Sequence, residues 1–96
     1  MAGDAEHEHR ARLAIVNRLG LHARAAAQLV QTAGRFDAEV TITKDGQTVN
    51  GRSIMGVMML AAEQGSHIDV SASGRQATEA LQAIADLVQA RFNEPE

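Results

Sequence analysis

Apolar positions along this chain recur with two periods, one suited to strands and one to helices. Leu13-Ala14-Ile15-Val16 is a short apolar run that predicts a first strand, ending at the polar pair Asn17-Arg18. From His22 to Ala33, the residues Ala26, Leu29, Val30 and Ala33 fall on one face of an amphipathic helix, and Gly34 stands where a C-cap glycine is favoured. Ala38, Val40 and Ile42 then alternate with Glu39, Thr41 and Thr43, which predicts a half-buried strand. Asp45-Gly46 predicts a tight hairpin, so Gln47 to Asn50 should return antiparallel. A second helix is expected from Ser53 to about Ala62, with Gly65 ending the segment. Ile68, Val70 and Ala72 alternate with Asp69, Ser71 and Ser73 in a fourth strand. Ala77, Ala80, Leu81, Ile84, Leu87 and Val88 then mark one face of a long last helix, with Phe92 near its end.

The expected order is therefore βαββαβα. Alternating strands imply a sheet with one buried face, so all three helices should cover that side. The predicted fold class is α+β: an open-faced two-layer sandwich with a four-stranded antiparallel sheet. Residues 1–12 are charged and aperiodic and are expected to form a flexible tail. Residues 13–92 should form the single domain, and residues 93–96 should fray. His7-Glu8-His9 reads as solvated tail rather than as a metal site.

Composition narrows the picture. With 96 residues the chain has room for one small domain, and with only two phenylalanines its core must be aliphatic. The absence of cysteine excludes disulfides and thiolate metal sites. A net charge of -3 argues against a general nucleic-acid binder. No apolar run approaches the roughly 18 residues of a membrane span, and no signal peptide opens the chain, so a soluble cytoplasmic domain without membrane insertion is expected. Nothing in the sequence calls for a cofactor or a metal.

The candidate chemistry lies in Gly20-Leu21-His22-Ala23-Arg24, which precedes the helix-forming run Ala25-Ala26-Ala27-Gln28-Leu29-Val30. The first turn of a helix carries unpartnered N–H groups and a positive dipole end, a setting that favours phosphate. A neutral imidazole is a usable nucleophile at physiological pH, and a guanidinium beside it can balance phosphoryl charge. Residues two apart do not face each other on a helix. His22 and Arg24 can converge only if His22 lies at the very start of the helix, outside its regular turns. Gly20 gives the backbone freedom for that approach.

Together with a second segment, Ser53-Ile54-Met55-Gly56-Val57-Met58-Met59-Leu60, and the βαββαβα order, this stretch resembles the HPr family, the histidine-containing phosphocarriers of the bacterial phosphotransferase system. The resemblance covers about residues 13–92. It implies that His22 accepts a phosphoryl group on Nδ1 from phospho-enzyme I and passes it to IIA domains of permeases or regulatory branches, with Arg24 as charge stabiliser. Such a protein is a carrier that is itself phosphorylated rather than a turnover enzyme, and a monomer suits its need to meet successive partners. The resemblance also implies that Ser53 is a target of an HPr kinase/phosphorylase in some hosts, and that Ile54, Met55 and Met58 form a partner-binding patch. Two departures stand out. Ala25 occupies a position where the family usually has proline, and Leu19 one where many relatives have Ser or Asn.

Plainer readings exist for each residue. Ser53 is a favoured N-cap whatever its regulation. Val57, Leu60 and Ala61 are expected to supply the buried face of the second helix, leaving Met55 and Met58, with Ile54, exposed. Gly56 weakens that helix by about 1 kcal/mol relative to alanine, which close approach of a partner would explain. The alternative function is a regulatory binding module of the same fold, acting through phosphorylation of Ser53 with little phosphoryl relay.

Overall fold

The computed structural model describes residues 8–95. Its elements follow the expected order: β1 (His9–Ala14), α1 (Ala23–Gly34), β2 (Glu39–Lys44), β3 (Gln47–Asn50), α2 (Ile54–Met59), β4 (His67–Ser73) and α3 (Ala77–Gln89), followed by a single 3-10 turn (Arg91–Asn93). The strands form one antiparallel sheet in the order β1-β4-β2-β3. This is the fold class expected from the alternation.

Pairing registers explain why the sheet is one-sided. Leu13 stands opposite Ile68 and Ala11 opposite Val70 across β1 and β4, while Val40 faces Ala72 and Ile42 faces Val70 across β2 and β4. Strand side chains point alternately to opposite faces, so these apolar residues share one face. Ile42, Ile68, Val70 and Ala72 have no exposed surface, and Leu29, Ala33, Val57, Ala80 and Ile84 from the helices pack over them with equally little. The other face carries Thr41, Thr43, Asp69 and Ser71. At the hairpin, Asp45 and Gly46 both have positive φ (51° and 81°), which lets the β2–β3 turn follow the twist of the strands.

Several boundaries differ from expectation. The first strand begins at His9, so residues 9–12 belong to β1 rather than to a tail. The reason is tertiary: β4 is long enough to pair His9 with Ala72. His9 sits in that strand with Nε2 3.3 Å from Thr78 Oγ1, whereas His7 lies outside the described residues. Among the described residues no group of three or more His, Cys, Asp or Glu is placed to hold a metal ion. Among the described residues no helix is long and apolar enough to cross a membrane.

Gly34 is the last residue of α1 rather than a left-handed cap. Arg35 closes the helix in ordinary right-handed geometry, its N–H reaching Thr32 and Ala33 carbonyls. The second helix stops at Met59, short of Ala62. Leu60 caps it, and Ala61 adopts φ 51° and is exposed, while Ala62 turns inward and is buried. Ala62 thus replaces Ala61 in the core. Gly56 also has an internal reason: a Cβ there would lie 3.2 Å from both Val49 Cβ and Ser53 Oγ. The close approach is that of α2 to β3 and to its own cap, with no partner required.

Candidate functional site

His22 is the N-cap of α1, extended at φ -75° and ψ 179°, and its carbonyl accepts the N–H of Ala26 at 2.8 Å. It therefore lies outside the regular turns, as convergence with Arg24 requires. The His22 side chain makes no cap hydrogen bond to the first turn of α1, and the leading N–H groups of a helix favour anions.

The loop before His22 is held by backbone and side-chain bonds. Leu21 N–H donates to Ala62 O at 2.9 Å, Gly20 N–H to Asn17 O at 3.2 Å, and Asn17 Nδ2 to Gly20 O at 2.9 Å. Gly20 has φ 67°, and any Cβ there would fall 2.4 Å from Ala62 O. Only glycine fits this approach. Ala25, at the position where proline is usual in the family, is fully buried against the core. Three bonds fix residues 17–21 ahead of the helix.

Two residues that sequence reasoning did not assign to the site complete it. Glu94, expected to fray, places Oε2 2.5 Å from His22 Nε2, and Asn17 Nδ2 donates to its Oε1 at 3.0 Å. The Glu94 side chain is only 10% exposed, against 29% for His22. Asn17, read as the polar end of a strand, is fully buried, and its Oδ1 has no hydrogen-bond partner among the described residues. No local signal marks either residue, because the contact joins positions 72 apart in the chain. The nearest hint is Phe92, an apolar residue close to the terminus whose burial anchors the turn leading to Glu94.

Burial opposes ionisation of Glu94. The hydrogen bonds from His22 and Asn17, with the nearby charges of His22 and Arg24, outweigh it and hold the carboxyl below its ordinary value of 4.5. A carboxyl lowered in the folded state stabilises the fold above its ordinary value, and that contribution disappears as pH falls through the lowered one. In urea unfolding, the wild type should therefore lose stability more steeply than Glu94→Gln as pH drops below 4.5. Parallel pH profiles for the two proteins would contradict this.

Arg18, Leu19, His22, Arg24, Glu94 and Pro95 line a pocket of about 270 Å³ at the site. Among the described residues His22 Nδ1 accepts or donates no hydrogen bond, and the exposed Arg24 side chain lies beside the same opening. The arrangement can take a small anionic group next to an unoccupied ring nitrogen.

Ser53 is the N-cap of α2 and its Oγ accepts the N–H of Gly56 at 3.0 Å. Beyond it Ile54, Met55, Met58 and Met59 are 41%, 69%, 38% and 64% exposed, an unusual density of bare apolar side chains on a six-residue helix. Because Leu21 is bonded to Ala62 just past α2, this helix stands next to the His22 loop. The structure thus brings the two sequence segments together, and adds Met59 to the exposed set.

A family model described as the PTS HPr component phosphorylation site matches residues 9–90. The chain is 49% identical over 89 residues to the phosphocarrier protein HPr of Xylella fastidiosa strain Temecula1, covering 93% of this chain and 96% of that one. It is likewise 49% identical over 82 residues to the phosphocarrier protein HPr of Neisseria meningitidis serogroup A, covering 85% and 92%. The crystal structure of HPr-C-His from Thermoanaerobacter tengcongensis superposes with a TM-score of 0.88 at 41% identity, covering 92% of this chain and 99% of that one.

Proposed function

On the premise that this chain belongs to the HPr family of phosphotransferase-system phosphocarriers, we propose that His22 Nδ1 accepts a phosphoryl group from phospho-enzyme I in the cytoplasm and passes it to IIA domains. The observation that carries this reading is the placement of His22 as the N-cap of α1, with Nε2 engaged by Glu94, Nδ1 free of hydrogen bonds among the described residues, and Arg24 lining the same pocket.

The transfer balances without a proton moving. The Nδ1 lone pair attacks phosphorus, and the new P–N bond forms as the donor's P–N bond breaks and its electron pair returns to the donor nitrogen. The His22 ring keeps its Nε2 proton and takes on the positive charge that the donor ring gives up. Passage to a IIA histidine repeats these steps in reverse on His22. Arg24 and the N–H groups of the first turn offset charge on the phosphoryl oxygens, since such transfers depend mainly on positioning and electrostatics.

Ile54, Met55 and Met58 serve as the docking patch. Flexible thioethers suit a surface that must fit unlike partners. Ser53 is the regulatory site beside it, where a kinase-added phosphate contributes about -2 charge without unseating the helix. Aspartate mimics part of that charge and is itself a favoured N-cap, so Ser53→Asp should keep the fold. Its expected effect is to weaken binding of enzyme I by about tenfold, on the order of 1.4 kcal/mol, in calorimetric titration. Unchanged affinity in a folded variant would remove Ser53 from this role.

The test of the relay uses phosphoenolpyruvate, enzyme I, this chain and a IIA domain. Label should appear on enzyme I, then on the chain, then on IIA. A chain that takes no label from a matching enzyme I overturns the proposal.

A further inference from the structure

The relay leaves Glu94 without a part, although its carboxylate is the nearest group to the reacting ring. We propose that Glu94 is a positioning residue for His22, fixing the proton on Nε2 so that the lone pair lies on Nδ1, and pairing with the ring's positive charge once it is phosphorylated. This inference rests on the phosphocarrier reading of His22.

Tautomer control follows from elementary hydrogen-bond chemistry. An ionised carboxylate only accepts hydrogen bonds. With Oε2 2.5 Å from Nε2, the neutral ring must carry its proton on Nε2, which leaves Nδ1 unprotonated and nucleophilic. A ring with the opposite tautomer would set two acceptors against each other at Nε2 and present a protonated, inert Nδ1.

The carboxylate is itself held. Asn17 Nδ2 bonds both Glu94 Oε1 at 3.0 Å and Gly20 O at 2.9 Å, and Asn17 is completely buried. A chain of contacts therefore runs from the loop before His22, through Asn17 and Glu94, back to the His22 ring. Each group orients the next.

The backbone gives independent support. Arg91, Phe92 and Asn93 have φ of 57°, 53° and 62°, three successive non-glycine residues in the left-handed region. Such conformations persist only where the surroundings over-determine them, and they concentrate at functional sites. Here burial of Phe92 and the bond from Glu94 N–H to Arg91 O at 2.9 Å hold the turn, and the turn returns Glu94 to His22 after α3 has ended.

Glu94→Gln tests the proposal with little change of size. Its single carbonyl can accept from Asn17 or from His22 but not from both in the present geometry, and its amide can donate to Nε2. Nitrogen-15 NMR of the histidine rings at alkaline pH should show His22 as the Nε2–H tautomer in the wild type. In Glu94→Gln the population should shift toward Nδ1–H. The rate of labelling by phospho-enzyme I should fall by about 10- to 100-fold, with the half-saturating concentration for enzyme I unchanged. An unchanged tautomer, or labelling at the wild-type rate, overturns the role of Glu94. A wild type that takes no label overturns instead the reading of His22, which the wild-type reaction alone reveals.

Discussion

His22→Ala is expected to take up no phosphoryl label from phosphoenolpyruvate and enzyme I, while remaining folded and still binding enzyme I. The loss should be complete because the substitution removes the atom that forms the bond, whereas changes to Arg24 or Glu94 alter only its surroundings. Folding should survive. The His22 side chain gives no cap hydrogen bond to α1, and the carbonyl that accepts from Ala26 belongs to the backbone. The main structural loss is the contact with Glu94, on a side chain that is 29% exposed. In the wild type the label should be acid-labile and base-stable, because protonated imidazole is a good leaving group from phosphorus. Label of the same lability on His22→Ala would place the acceptor elsewhere. Acid-stable label on both proteins would point to a hydroxyl such as that of Ser53.

Gly20→Ala should be the most destabilising single-methyl change at the site, by about 3 kcal/mol or more. A left-handed backbone costs alanine about 1–2 kcal/mol. The added Cβ would also meet Ala62 O at 2.4 Å, and a backbone carbonyl cannot swing aside as a flexible side chain does. Relieving that clash separates Leu21 N–H from Ala62 O, a bond worth about 1 kcal/mol, and disturbs the buried Leu21 side chain. For a domain of this size the melting temperature should fall by roughly 10–25 °C. Gly34→Ala is the control, since nothing lies within 4 Å of a Cβ there. Its effect should be neutral or slightly stabilising in the last turn of α1. A Gly20→Ala protein as stable as the wild type would show that the loop does not need its left-handed turn.

The strands and helices were legible because burial imposes its period on the residues that form them. Val40, Ile42, Ile68, Val70 and Ala72 alternate in the sequence, and each is buried on the same face of the sheet. Boundaries were less legible. His9 to Arg12 carry no apolar rhythm of their own, and they form a strand because β4 supplies their hydrogen bonds. Ala61 and Ala62 differ only in context: the chain must turn at Ala61 to offer Ala62 O to Leu21. Neither alanine says so by itself.

The sequence alone determined the architecture, singled out the Gly20–Arg24 stretch as the candidate site, and required His22 to stand at the helix start if it is to converge with Arg24. Each depends on neighbours within a few residues, where periodicity, capping and backbone freedom leave a readable pattern. Only the tertiary structure decided that Glu94 and Asn17 lie against His22 and its loop, that Ala62 holds that loop, and that Gly56 packs closely on β3. Those facts rest on contacts between residues far apart in the chain. Their geometry arises only when α3, α2 and the loop before α1 are packed against one another, so no local pattern records it.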